Sequence, residues 1–120
     1  MRGSWAAILL LALAAAAHAA ELPVFDAHIH YSHDAWDTVP PAQAIEILRK
    51  AGVKRALVSS ANDDGNQRLY AAAPDLILPS LRPYRTRADV SGWVREDAII
   101  RYLEEHLKKY HYVALGEFHL

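Results

Sequence analysis

Four short apolar runs, with amphipathic segments between them, constrain this chain more than any other feature. The runs are Val24 to His30, Val53 to Ala61 around Ala56-Leu57-Val58, Leu76 to Leu81, and Tyr112 to Leu120. A strand apolar on both faces must be covered on both sides, and parallel neighbours need a long crossover between them. The intervening segments supply that cover. A helix is expected from about Pro41 to Ala51, with Ala44, Ile45 and Leu48 as its apolar stripe and Gly52 as its stop. Asn62-Asp63-Asp64-Gly65-Asn66 reads as a turn and helix N-cap, followed by a short helix from Gln67 to Ala73 that Pro74 ends. Arg82 to Trp93 reads as a loop or broken helical segment. Asp97 to Tyr110 is the plainest helix, with Ile99, Leu103 and Leu107 on one face and Glu104, Glu105, Lys108 and Lys109 on the other. Only Pro79 argues against a strand in its run.

The pattern predicts an α/β fold built of βαβ units around a parallel sheet. Four strands alone leave such a sheet poorly covered. The expected architecture is therefore the first four βα units of a TIM-type (β/α)8 barrel, truncated in this sequence, since whole barrels run to about 250 residues. A small open α/β domain is the alternative.

The first segment stands apart. Met1-Arg2-Gly3-Ser4 carries a positive charge, Trp5 to Ala17 is apolar, and Ala17-His18-Ala19 has the small-residue form of a cleavage site. Residues 1–19 are expected to be a secretory signal peptide and residues 20–120 the mature domain. An apolar run of about 13 residues is short of the roughly 20 that span a bilayer, so no stable membrane anchor is expected after cleavage. The protein should be exported, to periplasm or extracellular space. A formal charge of −1 offers no general case for nucleic-acid binding. The chain has no cysteine, so any metal must sit on His, Asp, Glu, Lys or backbone oxygen.

His28 and His30 close the first run. Residues i and i+2 of a strand share a face, which places their Cα atoms roughly 6.5 Å apart and lets both imidazoles reach one ion. Asp26 lies on the same face two residues earlier, better suited to orienting an imidazole or a backbone group than to binding metal. Glu117 and His119 repeat the spacing on the last run. Glu117 could complete or bridge a metal site, and His119 is a candidate for substrate contact or support. Arg82, Arg85 and Arg87 follow the third strand and could receive a carboxylate or phosphate through paired N–H donors; a solvated loop is the alternative. His33 and Trp36 are candidate pocket residues.

Phe25-Asp26-Ala27-His28-Ile29-His30, the βα order, and Leu115-Gly116-Glu117-Phe118-His119 together resemble the N-terminal half of the amidohydrolase superfamily, in its amidohydrolase-related branch of metal-dependent hydrolases. The resemblance implies that His28 and His30 bind a divalent metal, usually zinc, as one or two ions. It also implies that Glu117 holds the acidic position of the fourth strand. The family's further histidines, and the aspartate that accepts a proton, belong to later strands, so the general base is expected outside this chain. The implied reaction is hydrolysis of an amide, lactone or ester in a small-molecule substrate by a metal-activated water. Phosphoester hydrolysis and decarboxylation are the minority enzymatic alternatives. An exported, non-catalytic metal-binding protein and an inactive half-barrel are the alternatives outside enzymology.

Overall fold

The computed structural model describes residues 22–119, so the expected signal peptide lies outside the described residues. Strand β1 runs Val24–Ile29, helix α1 His33–Trp36, α2 Pro41–Lys50, β2 Val53–Val58, α3 Asp63–Ala72, β3 Ile77–Leu81, α4 Asp97–Lys109 and β4 Ala114–Leu115. The four strands pair in parallel in the order β1-β2-β3-β4. The sheet curls as half of a barrel would, with helices alternating between its strands. The expected α/β class and parallel sheet are therefore present.

The core lies behind the two central strands. Ala56 and Val58 of β2 and Ile77 and Leu81 of β3 are fully buried, joined by Ile45 of α2 and Leu69 of α3. Ala44 and Leu48 flank Ile45 against the same cluster, so the apolar stripe expected on α2 faces inward. Pro41 opens that helix, and Gly52 follows its end at φ +78°, where a side chain would be strained. Ile99 of α4 is buried, while Leu107 on the same stripe remains half exposed.

Helix α3 starts at Asp63, four residues before the expected Gln67. Asn62 caps it by accepting the Asp64 N–H at 2.8 Å, and Gly65 allows the first turn to reach the end of β1. A Cβ on Gly65 would stand 1.7 Å from the Tyr31 carbonyl oxygen, so only glycine fits. Residues 33–36, between β1 and α2, form a short helix. Arg87–Ser91 and Trp93–Arg95 are 3₁₀ turns within the expected broken segment, and Pro79 sits inside β3, where its carbonyl still accepts the Val113 N–H at 3.0 Å.

The last strand is much shorter than the expected Tyr112 to Leu120. Only Ala114 and Leu115 pair with β3, opposite Ser80 and Leu81. Gly116 then turns at φ +133°, and its carbonyl accepts the Ser80 hydroxyl at 2.6 Å instead of a ladder N–H. The chain leaves the sheet there and carries Glu117 across the strand ends.

Candidate metal centre

The polar residues collect where the strands end. Ser59, just past β2, donates its N–H to the Ile29 carbonyl at 2.9 Å, which ties the exit of β1 to that of β2. Ser60 is buried; its hydroxyl accepts the Tyr31 N–H at 3.1 Å and donates to the Tyr31 carbonyl at 2.9 Å. His30, between these anchors, sets its Nδ1 against the Ser59 carbonyl. A carbonyl only accepts, so Nδ1 carries the proton and Nε2 presents its lone pair outward. That is the tautomer a metal ligand needs.

Strict alternation along β1 is broken by a bulge. Asp26 pairs with Ala56 and Ile29 with Val58, so β1 spends one residue more than β2 over that interval. The two imidazoles still come to one side, with Nε2 atoms 3.0 Å apart. Asp26 does not join them. Its Oδ1 accepts the His28 backbone N–H at 3.1 Å and so steadies the bulge, the backbone role open to it from the sequence.

Glu117 arrives from the far edge of the sheet. Its Oε2 lies 3.4 Å from His28 Nε2 and 3.4 Å from His30 Nε2, and it is buried with no hydrogen-bond partner. Three donor atoms from residues 28, 30 and 117 thus form a triangle with sides of 3.0, 3.4 and 3.4 Å. A point about 1.9 Å from all three corners exists in its plane, and a small rise from the plane reaches the about 2.0–2.1 Å of zinc–imidazole bonds. Three corners of a tetrahedron with such bonds stand about 3.3–3.4 Å apart. The donor set, its spacing and the orphaned carboxylate oxygen fit a divalent cation.

Arg82 and His119 flank Glu117 on the other side. Arg82 is buried, 5% exposed, with its guanidinium over the Tyr84 ring at 4.6 Å. Its Nε lies 3.4 Å from the Glu117 carbonyl and its Nη2 3.8 Å from Glu117 Oε2. Tyr84, fully buried, accepts the His119 backbone N–H at 2.8 Å and lies 2.9 Å from His119 Nδ1. Arg82 Nη2, a pure donor, faces the same Nδ1 at 3.4 Å. Nδ1 therefore accepts and Nε2 carries the proton, pointing at Glu117 Oε1 at 3.4 Å. His30 and His119 hold opposite tautomers, so His30 offers a lone pair at Nε2 and His119 an N–H donor.

Behind β4, buried Asp63 accepts from Asn66 and Gln67 and from the Tyr112 hydroxyl at 2.5 Å. Burial pushes the Tyr112 phenol up from its ordinary range, and the hydrogen bond to Asp63 adds to the shift. Burial raises Tyr102 as well, with the Asp63 and Asp64 charges adding to it. These pairings fix the approach of the chain to Glu117.

A cavity of about 510 Å³ opens beside the triangle, lined among others by His30, His33, Asp34, Arg82, Arg87 and His119. The three arginines separate here. Arg82 is buried against the site, Arg87 pairs at the rim with Asp34 at 3.3 Å, and Arg85 is turned to Asp89 and Glu96 at 2.8 and 2.5 Å. Arg85 thus serves the loop rather than a ligand. Sequence reasoning missed Tyr84, whose hydroxyl accepts the His119 backbone N–H and which no local pattern marks. It also gave no role to Ser59 and Ser60, whose place at the exit of an apolar run was the available signal. No family model, curated protein or solved structure matches the chain.

Proposed function

We propose that this protein is a metal-dependent hydrolase in which His28, His30 and Glu117 hold a divalent ion, zinc by preference, and that it cleaves an amide, lactone or ester bond. The observation that carries this reading is the triangle of Nε2, Nε2 and Oε2 with a side open to a cavity. A structural zinc site is closed by four protein ligands, whereas a hydrolytic one keeps a position free. The exposed His28 and His30 side chains, 64% and 40% accessible, leave such a position. The ion would supply Lewis acidity and a water whose pKa falls from about 15.7 toward about 7.

The chain's own residues prepare the site. Ser59 selects the ligating tautomer of His30, and Asp26 holds the backbone of His28. Arg82 and the His119 Nε2–H orient Glu117 from its other edge. The general base comes from beyond these four βα units, in the second half of a (β/α)8 barrel. Exposed apolar side chains at both edges of the curled sheet, Val24 and Phe25 on β1 and Leu115 on β4, support that larger architecture, because a closed barrel has no edges. The amino-terminal charge, apolar run and Ala17-His18-Ala19 support export.

The test uses protein produced from its intact gene. Bound zinc is measured, and turnover is assayed on panels of amides, lactones, esters and phosphoesters, for the wild type, His28→Ala and Glu117→Ala. Zinc and turnover on a carbon–nitrogen or carbon–oxygen panel, both lost in the variants, are expected. Full zinc retention in His28→Ala would remove the ligand assignment. Zinc without turnover would make this an exported metal-binding protein instead.

A further inference from the structure

Arg82 is a buried guanidinium whose nitrogens find only long contacts. A guanidinium with five N–H donors and only 5% of its side chain accessible ordinarily closes a short, bidentate pair with a carboxylate. Here each polar neighbour stands at 3.4 Å or more: the Glu117 carbonyl at 3.4 Å, His119 Nδ1 at 3.4 Å, His30 Nδ1 at 3.5 Å and Glu117 Oε2 at 3.8 Å. None is a short charged contact. Two of them already have closer partners, since His30 Nδ1 gives its proton to Ser59 and His119 Nδ1 accepts from Tyr84. Glu117 Oε2 belongs to the metal triangle. The guanidinium lines the cavity while its face rests on the Tyr84 ring.

Arg87 and Asp34 offset one another at the rim, which leaves Arg82 as the surplus charge. We propose that the cavity binds a carboxylate of the substrate, held by the Arg82 guanidinium. This rests on the hydrolase reading for the identity of the neighbouring cation, but the anion site stands on Arg82's own surroundings.

Arg82 Nη1 lies 3.5 Å from the ring of His30, a ligand of the triangle. The carboxylate therefore sits within a few bonds of the bond to be cleaved, which selects small substrates whose acid group is close to the scissile carbonyl, such as N-acyl amino acids or lactones of hydroxy diacids. A neutral ester or amide of the same size would leave the guanidinium unpaired in the closed complex, and sites built for a polar group reject partners lacking it strongly.

Isothermal titration calorimetry of the protein from its intact gene, at fixed ionic strength, tests this with succinate, its neutral analogue succinamide, and inorganic phosphate. Zinc content is measured on the same samples. Succinate should bind at least about tenfold more tightly than succinamide and than phosphate. Arg82→Gln should remove that preference and Arg82→Lys should keep part of it, since charge survives but the fork does not. Arg101→Gln, on the exposed face of α4, should leave it unchanged. Thermal melts show which variants fold. Equal affinity for succinate and succinamide overturns the proposal, as does undiminished succinate binding in either folded Arg82 variant. Tighter phosphate binding overturns the carboxylate assignment. Selective succinate binding by protein that takes up no zinc sustains this site while refuting the hydrolase reading.

Discussion

The two central strands and the two edge strands do different work. β2 and β3 pack against α2 and α3, and Ala56, Val58, Ile77 and Leu81 on them are inaccessible. β1 and β4 expose Val24, Phe25 and Leu115, yet the candidate ligands come from β1 and from the turn after β4. Arg82, at the end of β3, stands at the border between the two regimes. The centre holds the fold and the margins hold the candidate site, so damage to one should be separable from damage to the other.

The sharpest way to break that division is to cut the centre. Ile77→Ala removes a fully buried side chain and should cost about 2–5 kcal/mol in urea unfolding, while the folded fraction keeps its zinc stoichiometry. A fall in stoichiometry alongside stability would show that core and site are one unit. His28→Ala is the converse. It should raise the zinc dissociation constant at least about 100-fold, beyond the about 10–100-fold that loss of an outer partner costs. Its apo-protein stability should stay within about 0.5 kcal/mol of wild type, because the side chain is largely exposed.

Ser60→Ala sharpens the comparison, because Ser60 belongs to the centre and serves the margin. Removing the hydroxyl leaves the Tyr31 N–H and carbonyl without their partner, at about 1–3 kcal/mol. It should also weaken zinc binding about tenfold by loosening His30. An unchanged zinc affinity would mean that His30 is held by other contacts. The smallest effect lies away from both regimes, at Asp89. The Arg85 guanidinium beside it, helped by the Thr86 and Arg85 N–H groups and opposed by burial, holds its carboxyl below the usual carboxylate range. Near and below pH 4 the unfolded chain binds the proton first, so this contribution is complete above about pH 4 and fades as pH falls through the depressed folded value. Unfolding measured at pH 6 and pH 3 should show a smaller acid loss in Asp89→Asn than in wild type.

The parts legible from sequence were those set by local periodicity. α2, α4 and the central strands follow from apolar spacing, and the closeness of His28 and His30 follows from their separation by one residue. Long-range contacts decided what remained. The bulge in β1 depends on its pairing with β2. The two-residue length of β4 depends on Ser80 taking the carbonyl of Gly116, 36 residues away. Arg82, Arg85 and Arg87 look alike in a string, and only burial against Tyr84 and Glu117 distinguishes the first. The tautomers of His30 and His119 likewise depend on Ser59 and Arg82, partners that no spacing rule selects.

Zinc-edge X-ray absorption on the metal-loaded protein tests the central claim most directly. The account predicts a nitrogen and oxygen shell at about 2.0–2.1 Å with outer-shell scattering from His28 and His30, weakened in His28→Ala. A spectrum without imidazole scattering, or one unchanged by that substitution, would contradict it.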